Sequence, residues 1–372
     1  MFGKTKYGPY ARTGRGPVLA WICLVVLAAG IKILSLFPGA VERYYAMGFY
    51  PLIARLQRIL FGWLPFSIGD LLYGALIIWL IVGLVRLVRR LVKRQVDGRW
   101  LLGGLRRTLF VCLLVYVLFN GLWGLNYDRL GIADQLQLNV QPYSTEELTD
   151  LLRGITGRLN MLDSPARQNR VALDHPRTVF KGAVQSYSDF AARDLRFAYA
   201  SPSVKSSLFG LVDNYLGFGG YYNPFTGEAQ VNTGMPAFSQ PYTTCHEMAH
   251  QLGYAKENEA NFVGYLAARS SSDKAFQYSV YFDLYLYAAR ELYARDSNLV
   301  RPIRESLRPG IRQDYRELKA FNRKYENPFE PIVRRLYGNY LMANHQPQGI
   351  STYNEVVAWL IAYTKKNGSA AL

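Results

Sequence analysis

Three apolar runs long enough to cross a bilayer lie in the first third of the chain. They cover residues 17–37, 68–88 and 108–125. A helix needs roughly 20 apolar residues to cross the hydrocarbon core, so each run predicts a membrane-spanning helix. Between the first two runs, residues 44–64 mix aromatic side chains with Arg55 and Arg58. This mixture is typical of an amphipathic helix that lies at the membrane interface.

After residue 126 the pattern becomes that of a mostly helical globular domain. Ser144 and Glu147 form a capping box, which predicts a helix over residues 145–160. Further helical patterns cover residues 178–196, 202–215, 257–270, 273–294, 311–325, 328–343 and 352–366. In residues 217–232, Tyr and Val flank a turn-forming segment, which predicts two short strands and a hairpin loop. We therefore expect a multi-span helical membrane domain, residues 1–126, followed by a mostly α (α+β) domain, residues 127–372.

The positive charge is concentrated in the membrane third. The chain has a formal charge of +16, of which +13 falls in residues 1–126 and only +3 in residues 127–372. Basic residues precede the first run and crowd the junction at residues 86–107, whereas residues 38–67 hold only three. The positive-inside rule then places the N-terminus in the cytoplasm and residues 127–372 outside a bacterial-type cytoplasmic membrane. This distribution indicates a lipid bilayer as a partner and argues against a nucleic-acid-binding surface.

The sequence Cys-His-Glu-Met-Ala-His at residues 245–250 carries the candidate chemistry. A spacing of four places His246 and His250 on one face of a helix, where both can bind one tetrahedral Zn²⁺. Glu247 then lies beside the metal and can act as general base towards an activated water. The chain has four histidines in 372 residues, and a chance match is expected in roughly a few of every thousand such chains. The alternative is a helix whose histidines only satisfy hydrogen bonds.

A third metal ligand is expected just downstream. Gly253 predicts the end of the first helix, and the next helical pattern opens with Glu257 and Glu259. Two antiparallel helices joined by a tight turn would bring either carboxylate close to His250. Acidic residues are also common in the first turn of a helix because the helix dipole stabilises them there, so either residue has an ordinary structural explanation.

Two resemblances bear on this choice. Residues Glu257-x-x-Ala260-Asn261 resemble the Glu-x-x-Ala-Asp/Asn element of the gluzincin metallopeptidases. The resemblance implies a zincin-like domain in which Glu257 is the third zinc ligand and Asn261 supports the zinc histidines from the second shell. Only six residues separate His250 from Glu257, fewer than is typical of gluzincins, which keeps Glu259 as the alternative ligand.

The whole chain is also similar to an uncharacterised bacterial membrane family, the domain of unknown function thirty-eight-ten. The shared features are the N-terminal spans, Pro224–Ala229 with Val231-Asn232, His246–Gly253 and Glu257–Phe262. This resemblance implies a membrane location and zincin chemistry, and it implies no particular substrate.

The predicted hairpin has a candidate role in substrate binding. Zincins bind an extended peptide along a sheet edge before the active-site helix, and main-chain hydrogen bonds hold the peptide there. The residues in the corresponding place are Glu228, Ala229, Gln230, Val231 and Asn232. An ordinary surface hairpin is the alternative. Stabilisation of an oxyanion requires a donor as well, and the candidates are Tyr337, Tyr340, His345 and Tyr353.

The predicted function is hydrolysis of extracytoplasmic or membrane-proximal peptides or proteins by a membrane-anchored zinc metallopeptidase. The alternative is a catalytically silent zinc-binding scaffold of the cell envelope, although structural zinc sites usually have four protein ligands. An intramembrane protease of the site-two type would place the motif inside a span. Residues 236–262 contain too many charged and amide side chains for that arrangement.

Overall fold

The computed structural model describes residues 15–168, 170–344, 346, 355–368 and 371–372. The membrane third is built from α1 Arg15–Ser35, α2 Pro38–Ala40, a π-helix at Val41–Phe49, α3 Tyr50–Phe61, α4 Ile68–Val92 and α5 Gly98–Leu122. Among these, α1, α4 and α5 are long and apolar enough to span a membrane. Their apolar side chains are mostly exposed, as lipid-facing helices require. The first and third of these helices pack together, with the rings of Trp21 and Phe110 edge to face at 5.3 Å.

The helix that carries the predicted third span begins before the apolar run. The helix α5 begins at Gly98 and ends at Leu122, whereas the apolar run predicts residues 108–125. Its start is fixed by Asp97, whose side chain accepts a hydrogen bond from the Trp100 N–H. Arg99, Arg106 and Arg107 therefore belong to the helix, because a cap and not the hydropathy of the run determines where a helix begins.

The remaining elements form the predicted mostly helical part. In chain order they are α6 Ile132–Gln135, α7 Thr145–Gln168, α8 Pro176–Ala191, β1 Val204–Ser206, α9 Gly210–Leu216, β2 Gly220–Asn223, β3 Glu228–Val231, α10 Gln240–Gln251, α11 Glu257–Ser270, α12 Lys274–Arg295, α13 Ser297–Glu305, α14 Pro309–Tyr325, α15 Glu330–Ala343 and α16 Glu355–Asn367. Short 3-10 helices lie at Gly124–Asp128, Arg170–Asp174, Leu195–Phe197 and Ala237–Ser239.

Most of the predicted helices are confirmed, with shifted ends. The capping box is present, because Ser144 and Glu147 exchange hydrogen bonds at the start of α7. The single helix predicted over residues 202–215 is wrong: β1 occupies its first part, and only α9 is helical. The strand β1 forms by parallel pairing with β3, a long-range contact that leaves no local pattern. The helix α13 was not predicted.

The three strands form one small sheet with the order β1-β3-β2. The predicted hairpin is confirmed, since β2 and β3 pair antiparallel with Tyr221 opposite Gln230. The prediction that residues 228–232 form a free sheet edge is wrong. Because β1 pairs with the other side of β3, the strand β3 is central and buried, and the edges of the sheet belong to β1 and β2.

Two apolar cores hold the chain together. The larger core is formed mainly by α7, α8, α10, α11 and α12. The smaller one joins the membrane third to the rest, because Tyr50 and Trp123 pack there with Tyr222 of β2 and Ala255. A buried ion pair between Glu42 and Arg129, at 2.8 Å, lies in the same region. The division at residue 126 stays a prediction, but the packing across it is continuous.

Candidate metal centre

The helices α10 and α11 form the helical hairpin that the motif predicts. The first ends at Gln251, and Gly253 follows in a left-handed conformation with φ +86°. The N–H of Tyr254 donates back to the carbonyl of Ala249, which closes the turn. The second helix then begins at Glu257, so the carboxylate of its first residue returns to the face that carries both histidines.

Three side chains converge at one point. The Nε2 atoms of His246 and His250 lie 3.1 Å apart. The Oε2 atom of Glu257 lies 3.2 Å from the first nitrogen and 3.8 Å from the second. Tetrahedral zinc with bonds of 2.0–2.1 Å places its ligand atoms about 3.3 Å apart. The three donor atoms therefore fit one zinc-sized ion, and this donor set could hold a metal.

The two candidate glutamates face opposite ways. Glu257 faces the histidines, whereas the carboxylate of Glu259 approaches Gly131 and lies 3.9 Å from Nζ of Lys256. Gly131 has φ +88°, and a Cβ atom there would collide with the Glu259 carboxylate. The geometry thus favours the first-choice ligand, Glu257, over the alternative.

Hydrogen bonds orient the converging side chains. Nδ1 of His250 lies 2.8 Å from the carbonyl oxygen of Tyr254. A proton on Nδ1 would donate to that oxygen and leave the Nε2 lone pair for a metal. The hydroxyl of Tyr337 donates to Oε1 of Glu257 at 2.7 Å. The other carboxylate oxygen of Glu257, Oε2, faces the histidines.

The predicted supporting role of Asn261 takes a different form. Its side-chain oxygen and its carbonyl accept hydrogen bonds from the Tyr242 hydroxyl, at 3.3 and 3.0 Å. Among the described residues, the hydrogen bonds of Asn261 connect α11 to the start of α10 and do not reach either histidine. Asn261 therefore helps to hold the two helices together.

Glu247 is buried beside the three converging groups. Its side chain is packed so closely on β2 that a Cβ atom at Gly220 would lie 2.8 Å from the Glu247 Oε1. The other carboxylate oxygen has no hydrogen-bond partner among the described residues. Burial raises the pKa of Glu247 to about 7, although His246 and His250 oppose this shift. A carboxyl group with such a pKa is suited to exchange protons near neutral pH.

The charges of the three candidate ligand groups favour the binding of a cation. Burial lowers the pKa of His250, but the Glu257 carboxylate outweighs burial and raises that pKa to about 9. Burial likewise raises the pKa of Glu257, but the two imidazoles outweigh it and lower the pKa well below its usual range. The carboxylate is thus stabilised by positive charge at this point, which a divalent cation can supply in place of protons.

Residues of the membrane third cap the end of α10, a feature that the sequence analysis missed. Trp123 Nε1 donates to the carbonyl of His250 at 3.1 Å. The Tyr50 hydroxyl and Arg58 Nη1 donate to the carbonyl of Gln251 at 2.9 and 3.2 Å. These donors add hydrogen bonds to the last carbonyls of the helix, and the guanidinium complements the helix dipole. No local signal predicts these contacts, because the partners lie more than 120 residues apart in sequence.

Two of the four candidate oxyanion donors are close to the site. Tyr337 contacts Glu257 directly, and the Tyr340 hydroxyl lies 3.2 Å from that of Tyr127. The other two candidates, His345 and Tyr353, lie outside the described residues. At the predicted substrate strand, Glu228 accepts hydrogen bonds from the backbone of Gly69 and from Thr226. Its carboxylate therefore holds the start of α4 and not a peptide.

Comparison with known proteins identifies the family. The family model described as "Protein of unknown function (DUF3810)" matches residues 45–361. The chain belongs to this family. The match includes α4, α5 and the capping residues Tyr50 and Arg58 but not α1, so the DUF3810 region covers part of the membrane third together with the candidate metal centre. No curated protein and no solved structure matches the chain.

Proposed function

We propose that the chain is a membrane-anchored zinc metallopeptidase that hydrolyses peptide bonds of extracytoplasmic or membrane-proximal substrates. The observation that carries the proposal is the convergence of His246, His250 and Glu257 within zinc-ligand distances, beside the buried Glu247. Three protein ligands leave one tetrahedral position for solvent or substrate, which is the arrangement of catalytic zinc sites. In this proposal the domain from residue 127 onwards is a zincin-like peptidase domain.

The residues of the site have distinct roles in this proposal. His246, His250 and Glu257 would hold the metal, and zinc supplies Lewis-acid activation of water when bound. The Glu247 carboxylate accepts a proton from the attacking water and returns it to the leaving amine. Tyr337 keeps Glu257 turned towards the histidines. Its hydroxyl is also a candidate donor for a developing oxyanion.

The proposed location follows from the distribution of charge and the three candidate spans. The basic segments before α1 and at the junction between α4 and α5 favour a cytoplasmic side, and the three candidate spans would then place the metal centre outside. The capped end of α10 is held by residues next to the spans, which favours a metal centre close to the membrane surface. We therefore propose an extracytoplasmic site at the bacterial cytoplasmic membrane.

The scaffold alternative fits this site less well. A structural zinc site usually has four protein ligands, whereas among the described residues only three donors converge here. A scaffold also gives no reason to bury Glu247 with an unpartnered oxygen, which costs about 1–3 kcal/mol. Such a cost is typical of residues that act in catalysis.

The test is hydrolysis of a mixed peptide library by the purified full-length protein in lipid nanodiscs, with products identified by mass spectrometry. The proposal predicts cleavage that is lost on chelation and restored by Zn²⁺. Glu247→Gln is expected to lower the rate at least 100-fold while metal content and fold are retained. Glu326→Gln, at an exposed glutamate, is the control. Equal cleavage by the parent and Glu247→Gln would exclude the proposed mechanism, and a parent that cleaves no peptide would favour the scaffold.

A further inference from the structure

Two helices beside the metal centre expose apolar side chains. On and before α9, Leu208, Leu211, Val212 and Tyr215 are exposed, and on and before α15, Phe329, Ile332, Leu336, Tyr340 and Met342 are exposed. The two helices contact each other. Asn327, before α15, donates a hydrogen bond to the carbonyl of Tyr215 at the end of α9. Together these side chains form one surface, which we call the ledge; apolar clusters of this kind mark interaction sites.

The ledge is continuous with a candidate span. The backbone N–H of Leu208 donates to the Asp70 carboxylate, in the first turn of α4, at 2.7 Å. One turn further along, a Cβ atom at Gly74 would touch the ring of Phe209 at 3.8 Å. Gly74 lies six residues into α4, or about 9 Å along the helix axis. The start of α9 is therefore level with side chains that lie inside the apolar length of the span.

The composition of α15 suits the boundary between lipid and water. Apart from Gly338 and Leu341, its side chains are not buried, so packing on the protein does not explain its apolar stripe. Arg334 and Arg335 are exposed next to Leu336. Long cationic side chains beside an apolar stripe can reach lipid phosphates while the stripe enters the acyl region.

The same helix also reaches the metal centre. Tyr337 follows Leu336 and donates to Glu257, and its ring contacts that of Phe218, just after α9, at 5.3 Å. One face of the ledge thus touches a candidate metal ligand, while the other face is open. A surface with these two faces can hold the metal centre at a fixed distance from the bilayer surface.

We propose that the ledge formed by α9 and α15 inserts its apolar side chains into the outer-leaflet interface of the bilayer, so that the metal centre opens at the membrane surface. The occupant of this surface is lipid, because the ledge continues the exposed apolar surface of α4. If the proposed peptidase function holds, the substrate class follows: a peptide segment directly next to its own membrane anchor. Such a substrate reaches the site along the bilayer surface.

The ledge can be tested independently of any activity. In the full-length chain with Cys23→Ser and Cys112→Ser, an environment-sensitive fluorophore is attached at Leu336→Cys or Leu211→Cys, and the protein is placed in nanodiscs whose acyl chains carry a quencher. Met161→Cys is the matched control, since Met161 is 60% exposed against 63% for Leu336 and 65% for Leu211. Met161 lies on α7, which packs on α12, α13 and α14.

The expected result is quenching at Leu336 and Leu211 that is at least threefold stronger than at Met161, with an unchanged unfolding transition. Quenching at the control level in both ledge positions would overturn the proposal. A blue-shifted emission without quenching by the acyl chains would overturn it as well, because a protein and not lipid would then cover the ledge.

The substrate class is tested with one peptide in two forms, free and joined to an acyl anchor in the nanodisc. We expect the parent to cleave the anchored form at least tenfold faster, and Leu211→Ser with Leu336→Ser to lose that preference without losing cleavage of the free form. Equal rates in the parent would overturn the substrate class. Absence of cleavage for both forms would instead refute the peptidase function, and the quenching result would still decide the ledge.

Discussion

Glu257 and Glu259 show that the surroundings of a residue decide whether its carboxylate can bind a metal. Both stand in the first turn of α11, and both are buried. The first meets two imidazoles and the Tyr337 hydroxyl, whereas the second meets Gly131 and Lys256. The spacing of His246, Glu247 and His250 predicts their roles, whereas it leaves the third ligand open between two residues, of which the family resemblance favours Glu257. The contacts with Tyr337 and Gly131 come from segments more than 70 residues away, which no local pattern reveals.

The raised pKa of Glu247 predicts how the free energy of unfolding of the chelated, metal-free protein depends on pH. Burial raises this pKa to about 7 in the folded protein, against an ordinary value of 4.5. The folded state therefore binds the proton more tightly, and its stability falls as pH rises from about 4.5 to about 7. Glu247→Gln removes this cost, so the metal-free variant should gain at most about 3 kcal/mol relative to the parent at pH 8.

Chemical denaturation of the chelated proteins at pH 4.5 and pH 8 measures this effect. The advantage of Glu247→Gln over the parent is expected to be small at the lower pH and large at the higher one. Glu326→Gln, at an exposed position, should show no such trend. The same advantage at both pH values would mean that burial does not perturb the Glu247 carboxyl.

At the scale of elements, local sequence patterns predicted the helices whose formation depends on local interactions. The helix α11 was predicted with the bounds Glu257–Ser270 because its acidic first turn and its apolar periodicity agree. The strand β1 and the central position of β3 depend on pairing between residues 204–206 and 229–231. That pairing is non-local, so the sequence indicated the hairpin but placed a free edge on the wrong strand. The caps of α10 were missed for the same reason.

The contribution of these caps to stability can be predicted for Arg58. It is buried and donates to the carbonyls of Ala200 and Gln251. Arg58→Ala removes a donor from both carbonyls, although Tyr50 still donates to that of Gln251, and it removes a cation from the end of α10. These losses should lower the free energy of unfolding by about 2–3 kcal/mol. Arg55 is exposed on the same helix, and Arg55→Ala should change stability by less than about 0.5 kcal/mol.

Denaturant titration of both variants in detergent, followed by tryptophan fluorescence, compares the two arginines. Zinc affinity is expected to fall in the Arg58 variant alone, because the end of α10 carries His250. If the two variants have equal stability, then the contacts of Arg58 in the membrane third do not stabilise α10.

At the scale of the whole molecule, the membrane third is part of the fold around the metal centre. Glu228 is fully buried and accepts hydrogen bonds from Ser67 and the first turn of α4. Removing residues before 127 would take away these donors and leave the Glu228 carboxylate with the Thr226 hydroxyl, and it would also remove the donors to the end of α10. The loss of most partners of a buried charge costs several kcal/mol, which is a large part of the stability of a typical domain.

We therefore expect residues 127–372 alone to be insoluble or unfolded and to bind no zinc. A chain that starts at residue 38 keeps every one of these contacts and should fold in detergent with zinc bound. Far-ultraviolet circular dichroism and size-exclusion chromatography compare the two chains. A folded, zinc-binding fragment 127–372 would show that the membrane third only anchors the protein.

The most direct test of the central claim is the zinc content of purified full-length protein, measured by inductively coupled plasma mass spectrometry for the parent, Glu257→Gln and Glu259→Gln. Both glutamates are buried in the same helical turn, so each variant controls for the other. The account predicts one zinc per chain in the parent and in Glu259→Gln, and much less than one in Glu257→Gln. A parent without zinc, or full zinc content in Glu257→Gln, would contradict it.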